Sequence, residues 1–186
     1  MSSDPTANLF HQSQSTEEHR AAAQDAVNFA VLTVSDTRTP EDDASGRLIR
    51  EHLGFRGHNL IAAEIVPDDA GRIRATLEAW VGDESIDAII VNGGTGIAGR
   101  DVTYPTISAL IEKQMPGFGE LFRMLSWQEV GAASMLSRAT AGVTGNTVIF
   151  SLPGSANAVR LALEKLIGPE LGHVVLEIKK HPPRSS

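Results

Sequence analysis

The sequence predicts a three-layer α/β domain, an αβα sandwich around a mostly parallel sheet. Three observations carry that prediction. Short apolar runs rich in β-branched residues alternate with segments whose apolar residues recur at helical spacing. The runs stop at clusters of turn-forming residues, such as Pro67-Asp68-Asp69 and Pro153-Gly154-Ser155. No internal repeat or low-complexity linker divides residues 27–180. Strand–helix–strand order demands right-handed crossovers, and therefore parallel neighbours covered on both faces.

The elements follow in order. Residues 29–34 form a continuous apolar run and read as a buried parallel strand. Asp42 and Asp43 cap a helix whose apolar face is Leu48, Ile49 and Leu53, stopped by Gly54. A second strand spans 58–66 and closes at Pro67. Ile73, Leu77, Trp80 and Val81 recur at i, i+4, i+7 and i+8, which predicts an amphipathic helix over 70–82 ending at Gly82. The third strand, 87–92, runs straight into Gly93-Gly-Thr-Gly96. Helices are expected around Ile107, Leu110 and Ile111, and around Phe118, Leu121, Phe122 and Leu125. Phe118, Phe122 and Trp127 read as core or subunit contacts. A last strand over 147–152 breaks at Pro153-Gly154 before a helix carrying Val159, Leu163 and Leu166. The final helix buries Leu171, Val174, Val175 and Ile178.

Residues 1–25 stand apart, because Ser, Thr, Gln, Asn, Glu and His dominate them and only Leu9 and Phe10 are large and apolar. Two readings are open: a disordered polar extension, or a short helix over 16–26 capped by Thr16 and packed on a neighbouring subunit. The domain proper is expected over 26–181.

The chain has 186 residues and a net charge of −7, which argues against a nucleic-acid binder, since phosphate neutralisation needs a basic face. The count of Cys is 0, so disulfide scaffolds and thiolate zinc sites are excluded and a reducing cytoplasm is expected. No apolar run is long enough to span a bilayer, and the start lacks the pattern of a signal peptide. The six histidines show no H-E-x-x-H spacing, and no G-x-S-x-G elbow is present.

Ligand sites of such sheets lie outside the carboxyl ends of the strands. The segments leaving four strands there carry Ser35, Asp68, the loop Gly93, Gly94, Thr95 and Gly96, and Pro153, Gly154 and Ser155. Three glycines in four positions allow φ > 0 and close approach of a ligand, and successive N–H groups make a nest for an anion. The alternative is a sharp strand-to-helix turn with no ligand. Asp101 either caps the following helix or, beside an anion nest, shares Mg²⁺ with substrate phosphates. Asp68 supplies a second carboxylate, or caps helix 70–82, a task that suits Asp69 better. Ser155 at a helix start either binds phosphate or is a plain N-cap.

Taken together, these segments resemble the molybdenum cofactor biosynthesis family MoaB/Mog. The matching stretches are Leu32-Thr-Val-Ser-Asp36, Ile65-Val-Pro-Asp68, Gly93-Gly-Thr-Gly96, Arg100-Asp-Val-Thr103, Pro116-Gly-Phe-Gly-Glu120, Met135-Leu-Ser-Arg138 and Leu152-Pro-Gly154, in family order. The tracts Glu41-Asp-Asp-Ala-Ser-Gly46 and Glu120-Leu-Phe-Arg-Met-Leu-Ser126 are most similar to the MoaB branch. The resemblance implies a molybdopterin-binding fold, assembled as a homo-trimer or hexamer and working with other molybdenum cofactor biosynthesis enzymes. It implies transfer of AMP from Mg²⁺-bound ATP to molybdopterin, with release of pyrophosphate. By the same match Asp68 and Asp101 are the catalytic, Mg²⁺-holding pair. The same match assigns phosphate and pterin binding to Ser35, the loop from Gly93 to Gly96 and Ser137, and Pro153, Gly154 and Ser155, at a helix start, join them as phosphate- or pterin-binding candidates. One departure is Tyr104, which stands where the family pattern has Pro. A non-catalytic molybdopterin carrier or scaffold is the alternative within the family, and an unrelated nucleotide-binding α/β protein a third reading.

Overall fold

The computed structural model describes residues 26–94 and 101–180. The expected N-terminal extension, with its alternative helix, and Thr95 and Gly96 of the glycine loop lie outside the described residues. The element order is β1 (Asn28–Val34), α1 (Ala44–Phe55), β2 (Asn59–Val66), α2 (Ala70–Val81), β3 (Ala88–Gly93), α3 (Thr103–Leu110), β4 (Lys113–Gln114) and α4 (Pro116–Val130). A 3-10 turn (Gly131–Leu136), β5 (Thr140–Thr144), β6 (Thr147–Leu152), α5 (Ala156–Ala162), a π turn (Leu163–Ile167) and α6 (Gly168–Lys180) follow.

These strands form one six-stranded sheet in the order β2-β1-β3-β6-β5-β4. The first four are parallel, as the crossovers require. β5 and β4 are antiparallel additions on the far side. Alternation along the strands divides the core into two layers. Phe29, Val31, Ile90 and Phe150 face Ile49, Leu53, Phe122, Leu163 and Leu171 of α1, α4, the π turn and α6. Ala30, Leu32, Ile89, Val91 and Ile149 face Ile73, Leu77 and Ile107 of α2 and α3. The expected αβα sandwich is therefore present, as a mixed sheet whose parallel part carries the core.

Several local expectations are corrected. Gly54 does not stop α1; the helix runs to Phe55, and the left-handed glycine is Gly57 at φ +88°. Asp43, not Asp42, is its cap, accepting from the Gly46 N–H at 2.9 Å. Leu121 is 47% exposed and does not belong to the buried face of α4, which consists of Phe118, Gly119, Phe122 and Ser126. Phe118 packs edge-on against Phe150 at 5.2 Å, whereas Trp127 is 60% exposed. The strands β4 and β5 were not expected, because two and five residues give too little period to read. β5 is joined to β6 by Gly145-Asn146, with Gly145 at φ +55° and no positive φ at Asn146, as in a type II′ turn.

Candidate functional site

Four parallel strands aligned in one direction end at one edge, where Val34 pairs with both Val66 and Gly93, and Asn92 with Leu152. The segments leaving that edge hold most of the expected site residues. Gly93 has φ +103°, and a Cβ there would overlap the Val34 carbonyl oxygen. Gly94 has φ +57°, and its Cβ would overlap Thr103 Oγ1 and lie 3.2 Å from Asp68 Oδ1. Both positions accept only glycine, for conformation and for space.

Thr103 explains what the absent Cβ makes room for. Its hydroxyl is fully buried and donates to Asp68 Oδ1 at 2.8 Å. The Asp68 N–H in turn donates to Asp36 Oδ1 at 3.0 Å, which ties the end of β2 to the segment after β1. Asp69 is the cap of α2, accepting from the Arg72 N–H at 2.8 Å, so Asp68 is not spent on capping. Helix α3 starts at Thr103 with Val102 at its N-cap position and no side-chain cap bond, so Asp101 does not cap it. Two residues of chain span at most about 7 Å, which keeps the Asp101 backbone within that reach of Thr103. The helix expected around Ile107, Leu110 and Ile111 ends at Leu110, with Ile111 as its C-cap, and Lys113 belongs to β4.

Ser35 closes a turn: its Oγ accepts from the N–H groups of Thr37 and Arg38 at 3.3 and 3.2 Å. With Asp36, Arg38, Val66 and Pro67 it lines a cavity of about 680 Å³ on the edge of the sheet. Beneath that turn lies a closed ring of polar side chains that sequence reasoning did not assign. Arg38 Nη1 donates to Ser45 Oγ, and Ser45 Oγ to Asn92 Oδ1 at 2.8 Å. Asn92 Nδ2 donates to Thr33 Oγ1 at 2.9 Å, and Thr33 Oγ1 to Asp43 Oδ2 at 2.9 Å. The ion pair between Asp43 Oδ1 and Arg38 Nη1, 3.7 Å, closes it, and Arg50 faces the other Asp43 oxygen at 3.7 Å. Thr33, Asp43, Ser45 and Asn92 are each at most 1% exposed. A Cβ on Gly46 would overlap Asp43 Oδ2, which accounts for the Asp43-Ala-Ser-Gly46 spacing.

The remaining expected residues gather on the other side of the glycine pair. Ser137, Pro153 and Ser155 line a second cavity, of about 380 Å³, with Phe122 and Ser126. Ser155 is the N-cap of α5, its Oγ accepting from the Ala158 N–H at 3.2 Å. A Cβ on Gly154 would come to 3.0 Å of Gly93 Cα, so the loop after β6 lies directly on the loop after β3. Tyr104 is not isolated: the Arg138 guanidinium sits over its ring, 4.9 Å from the centroid, and joins the start of α3 to the residue after Ser137.

The arrangement thus has Asp68, Gly94 and Thr103 in contact, with Asp101 on the adjoining segment. Ser35 lies to one side and Ser137, Pro153 and Ser155 to the other. The carboxylates of Asp36, Asp68 and Asp101 are hard oxygen donors of the kind Mg²⁺ prefers. Among the described residues no three His, Asp or Glu side chains gather as a metal-binding group. A Mg²⁺ site needs fewer, because that ion keeps several waters and takes one or two carboxylates with the substrate phosphates. The residues present fit such an ion.

Comparison with known proteins bears on what this edge serves. A family model described as a probable molybdopterin binding domain matches residues 30–173. The chain is 53% identical over 167 residues to molybdenum cofactor biosynthesis protein B of Bacillus subtilis (strain 168), covering 89% of this chain and 98% of that protein. The chain belongs to the MoaB/Mog family. A crystal structure of molybdenum cofactor biosynthesis protein B matches with a TM-score of 0.83 at 48% identity, over 85% of this chain and 99% of that one. The tungsten cofactor synthesizing protein MoaB from Pyrococcus furiosus matches with a TM-score of 0.76 at 38% identity, over 83% and 98%. Among the described residues of this MoaB/Mog chain no helix is long and apolar enough to cross a membrane.

Proposed function

We propose that this protein acts in molybdenum cofactor biosynthesis as a molybdopterin adenylyltransferase. In that reaction an oxygen of the terminal phosphate of molybdopterin attacks the α-phosphorus of ATP. A new P–O bond forms, the bond to the β-phosphate breaks, and pyrophosphate leaves with the electron pair. The observation that carries the reading is the contact of Asp68 with Thr103 beside Gly94, which puts a carboxylate against glycine backbone at the ligand-binding edge of the sheet.

Each group then has a task. Asp68 and Asp101 would hold Mg²⁺, which when bound neutralises phosphate charge and polarises the P–O bonds. To the glycine backbone at Gly93 and Gly94 we assign the phosphate oxygens, which can approach it without intervening side chains. Thr103 orients the Asp68 carboxylate by taking one of its oxygens. Ser137 and Ser155 offer hydroxyls to the pterin phosphate from the cavity they share. No covalent nucleophile is required, because alignment and charge stabilisation suffice for transfer between two phosphates.

Assembly is part of the proposal. Leu121, Met124, Trp127 and Val130 are exposed on α4, apolar surface that a homo-trimer, or a hexamer made of two, would bury. Multi-angle light scattering of the purified protein reads the mass of the particle directly.

The activity is tested by incubating the purified protein with molybdopterin, ATP and Mg²⁺ and measuring pyrophosphate. Asp101→Asn is expected to abolish most turnover while molybdopterin still binds. Undiminished transfer by that variant rejects the role of Asp101. Wild-type protein that binds molybdopterin without releasing pyrophosphate identifies a carrier or scaffold instead, the reading that the Tyr104 departure favours.

A further inference from the structure

We propose that Arg38 is a positioning residue for this site, clamping the loop after β6 onto the loop after β3. The proposal rests on the adenylyl-transfer reading for what is positioned, and on geometry alone for the clamp. Arg38 leaves the Ser35 turn and uses its planar guanidinium at three points. Nη2 donates to the Gly154 carbonyl at 3.0 Å, Nη1 donates to Ser45 Oγ, and Nη1 pairs with Asp43 at 3.7 Å. A fork with donors in fixed directions reaches the loop and the ring at once, where an ammonium reaches one of them.

The consequence follows from the neighbours of each anchor. Gly154 lies on Gly93, so drawing its carbonyl inward seats the Pro153–Ser155 turn on the glycine pair. Asn92, which immediately precedes Gly93, is held from beneath by Ser45 and Thr33 of the same ring. One guanidinium therefore fixes both loops relative to each other, through a bond that bridges the 116 positions from Arg38 to Gly154. The donors on the Gly93–Gly94 side and the hydroxyls of Ser137 and Ser155 approach one substrate from two sides. Their spacing is what in-line transfer depends on. Arg50 supplies the comparison, because it faces the same Asp43 carboxylate but makes no bond to Gly154.

The experiment compares Arg38→Ala, Arg38→Lys and Arg50→Ala in the full-length protein. Amide hydrogen exchange without ligand is read at Ala158 and Val159, whose N–H groups donate to Ser155 Oγ and to the Ser155 carbonyl, and steady-state adenylyl transfer is measured with molybdopterin and MgATP. The clamp predicts faster exchange at both amides in Arg38→Ala and no such change in Arg50→Ala. It also predicts a kcat about 100-fold lower in Arg38→Ala. KM for ATP should change far less than kcat, and Arg38→Lys should recover part of the rate. Arg50→Ala should lose stability to a similar extent with kcat within about 3-fold of wild type, since it removes a cation from Asp43 without freeing the loop. Equal losses in exchange protection and kcat for the two alanine variants overturn the proposal and make Arg38 a stabilising residue only. Wild-type protein that transfers no AMP overturns the adenylyl-transfer reading instead, while the exchange measurement still decides whether Arg38 clamps the loop.

Discussion

Thr103 and Asp68 are joined by a 2.8 Å hydrogen bond although 35 residues separate them. The bond links the end of β2 to the first turn of α3, and it lies under Gly94, whose missing side chain leaves the space it occupies. A carboxylate held this way loses rotational freedom and keeps its charge turned toward the glycine loop.

Thr103→Val preserves shape and removes the donor. Hydrogen bonds to charged groups contribute about 1.5–3 kcal/mol, and the half-buried setting of Asp68 places this one near the lower figure. Adenylyl transfer should fall by more than stability does, by about 10- to 100-fold, because Asp68 is then free to turn. Thr103→Ser should restore both. Thermal unfolding and pyrophosphate release measured on the same samples decide the matter, and full activity in the valine variant would refute it.

Gly94→Ala adds a steric cost to a conformational one. At φ +57° an alanine costs about 1–2 kcal/mol, and its methyl group would displace the Thr103 hydroxyl from Asp68. Gly57, the left-handed glycine after α1 at φ +88° with open space around it, carries the conformational cost alone. Urea titrations should therefore show Gly94→Ala destabilised more than Gly57→Ala, and only the former should lose transfer activity. Equal midpoints in the two variants would mean that the overlap is relieved without cost.

The polar ring makes a prediction about stability. Thr33→Val leaves both the Asp43 carboxylate and the Asn92 amide short of a partner in a site with almost no solvent access. A cost of about 3 kcal/mol is expected, since each group loses one hydrogen bond, one of them to a carboxylate, where water does not replace it. Thr33→Ser should cost far less. Denaturant unfolding monitored by circular dichroism gives both values, and a loss under about 0.5 kcal/mol would show that water takes over the bonds.

Histidine protonation sets an acid limit. The Val27 N–H donates to His58 Nδ1 at 3.2 Å, a bond that only the neutral ring accepts. Burial, and then the Arg56 guanidinium nearby, hold the His58 pKa below its ordinary value. The unfolded chain therefore binds the proton more readily than the folded one. The stabilising contribution is complete above about pH 6.5 and is lost as pH falls through the depressed value. His52 adds to the same slope: burial and then Arg56, whose Nε donates to His52 Nε2 at 3.0 Å, lower its pKa. Unfolding midpoints taken between pH 7.5 and pH 5 should drop more steeply for wild type than for His58→Gln. Parallel pH profiles would remove His58 from the account.

Much of the frame was readable in the linear order of residues. The runs at 29–34, 87–92 and 147–152 are buried on both faces, so their apolar content is continuous and unmistakable. The i, i+4, i+7 spacing of Ile73, Leu77 and Trp80 had one helical solution. β4 and β5 were opaque because short antiparallel strands beside a parallel core take their stability from the neighbouring strand and leave little pattern of their own. Of the site, Asp68, Gly93 and Gly94 were visible because strand ends and glycine clusters mark where ligands approach. Arg38, Asp43, Ser45 and Asn92 sat within or beside the quoted motifs, yet nothing in their spacing says that they bond to one another.

The amino-acid order by itself determined the alternation of strands and helices, the parallel core and the edge at which a ligand site must lie, because hydrophobic period and backbone chirality are local properties. Only the tertiary structure decided that Thr103 grips Asp68, that Gly154 rests on Gly93 and that Arg38 spans two loops. Those contacts join residues far apart in the chain, and their geometry exists only once the sheet has brought the strand ends together.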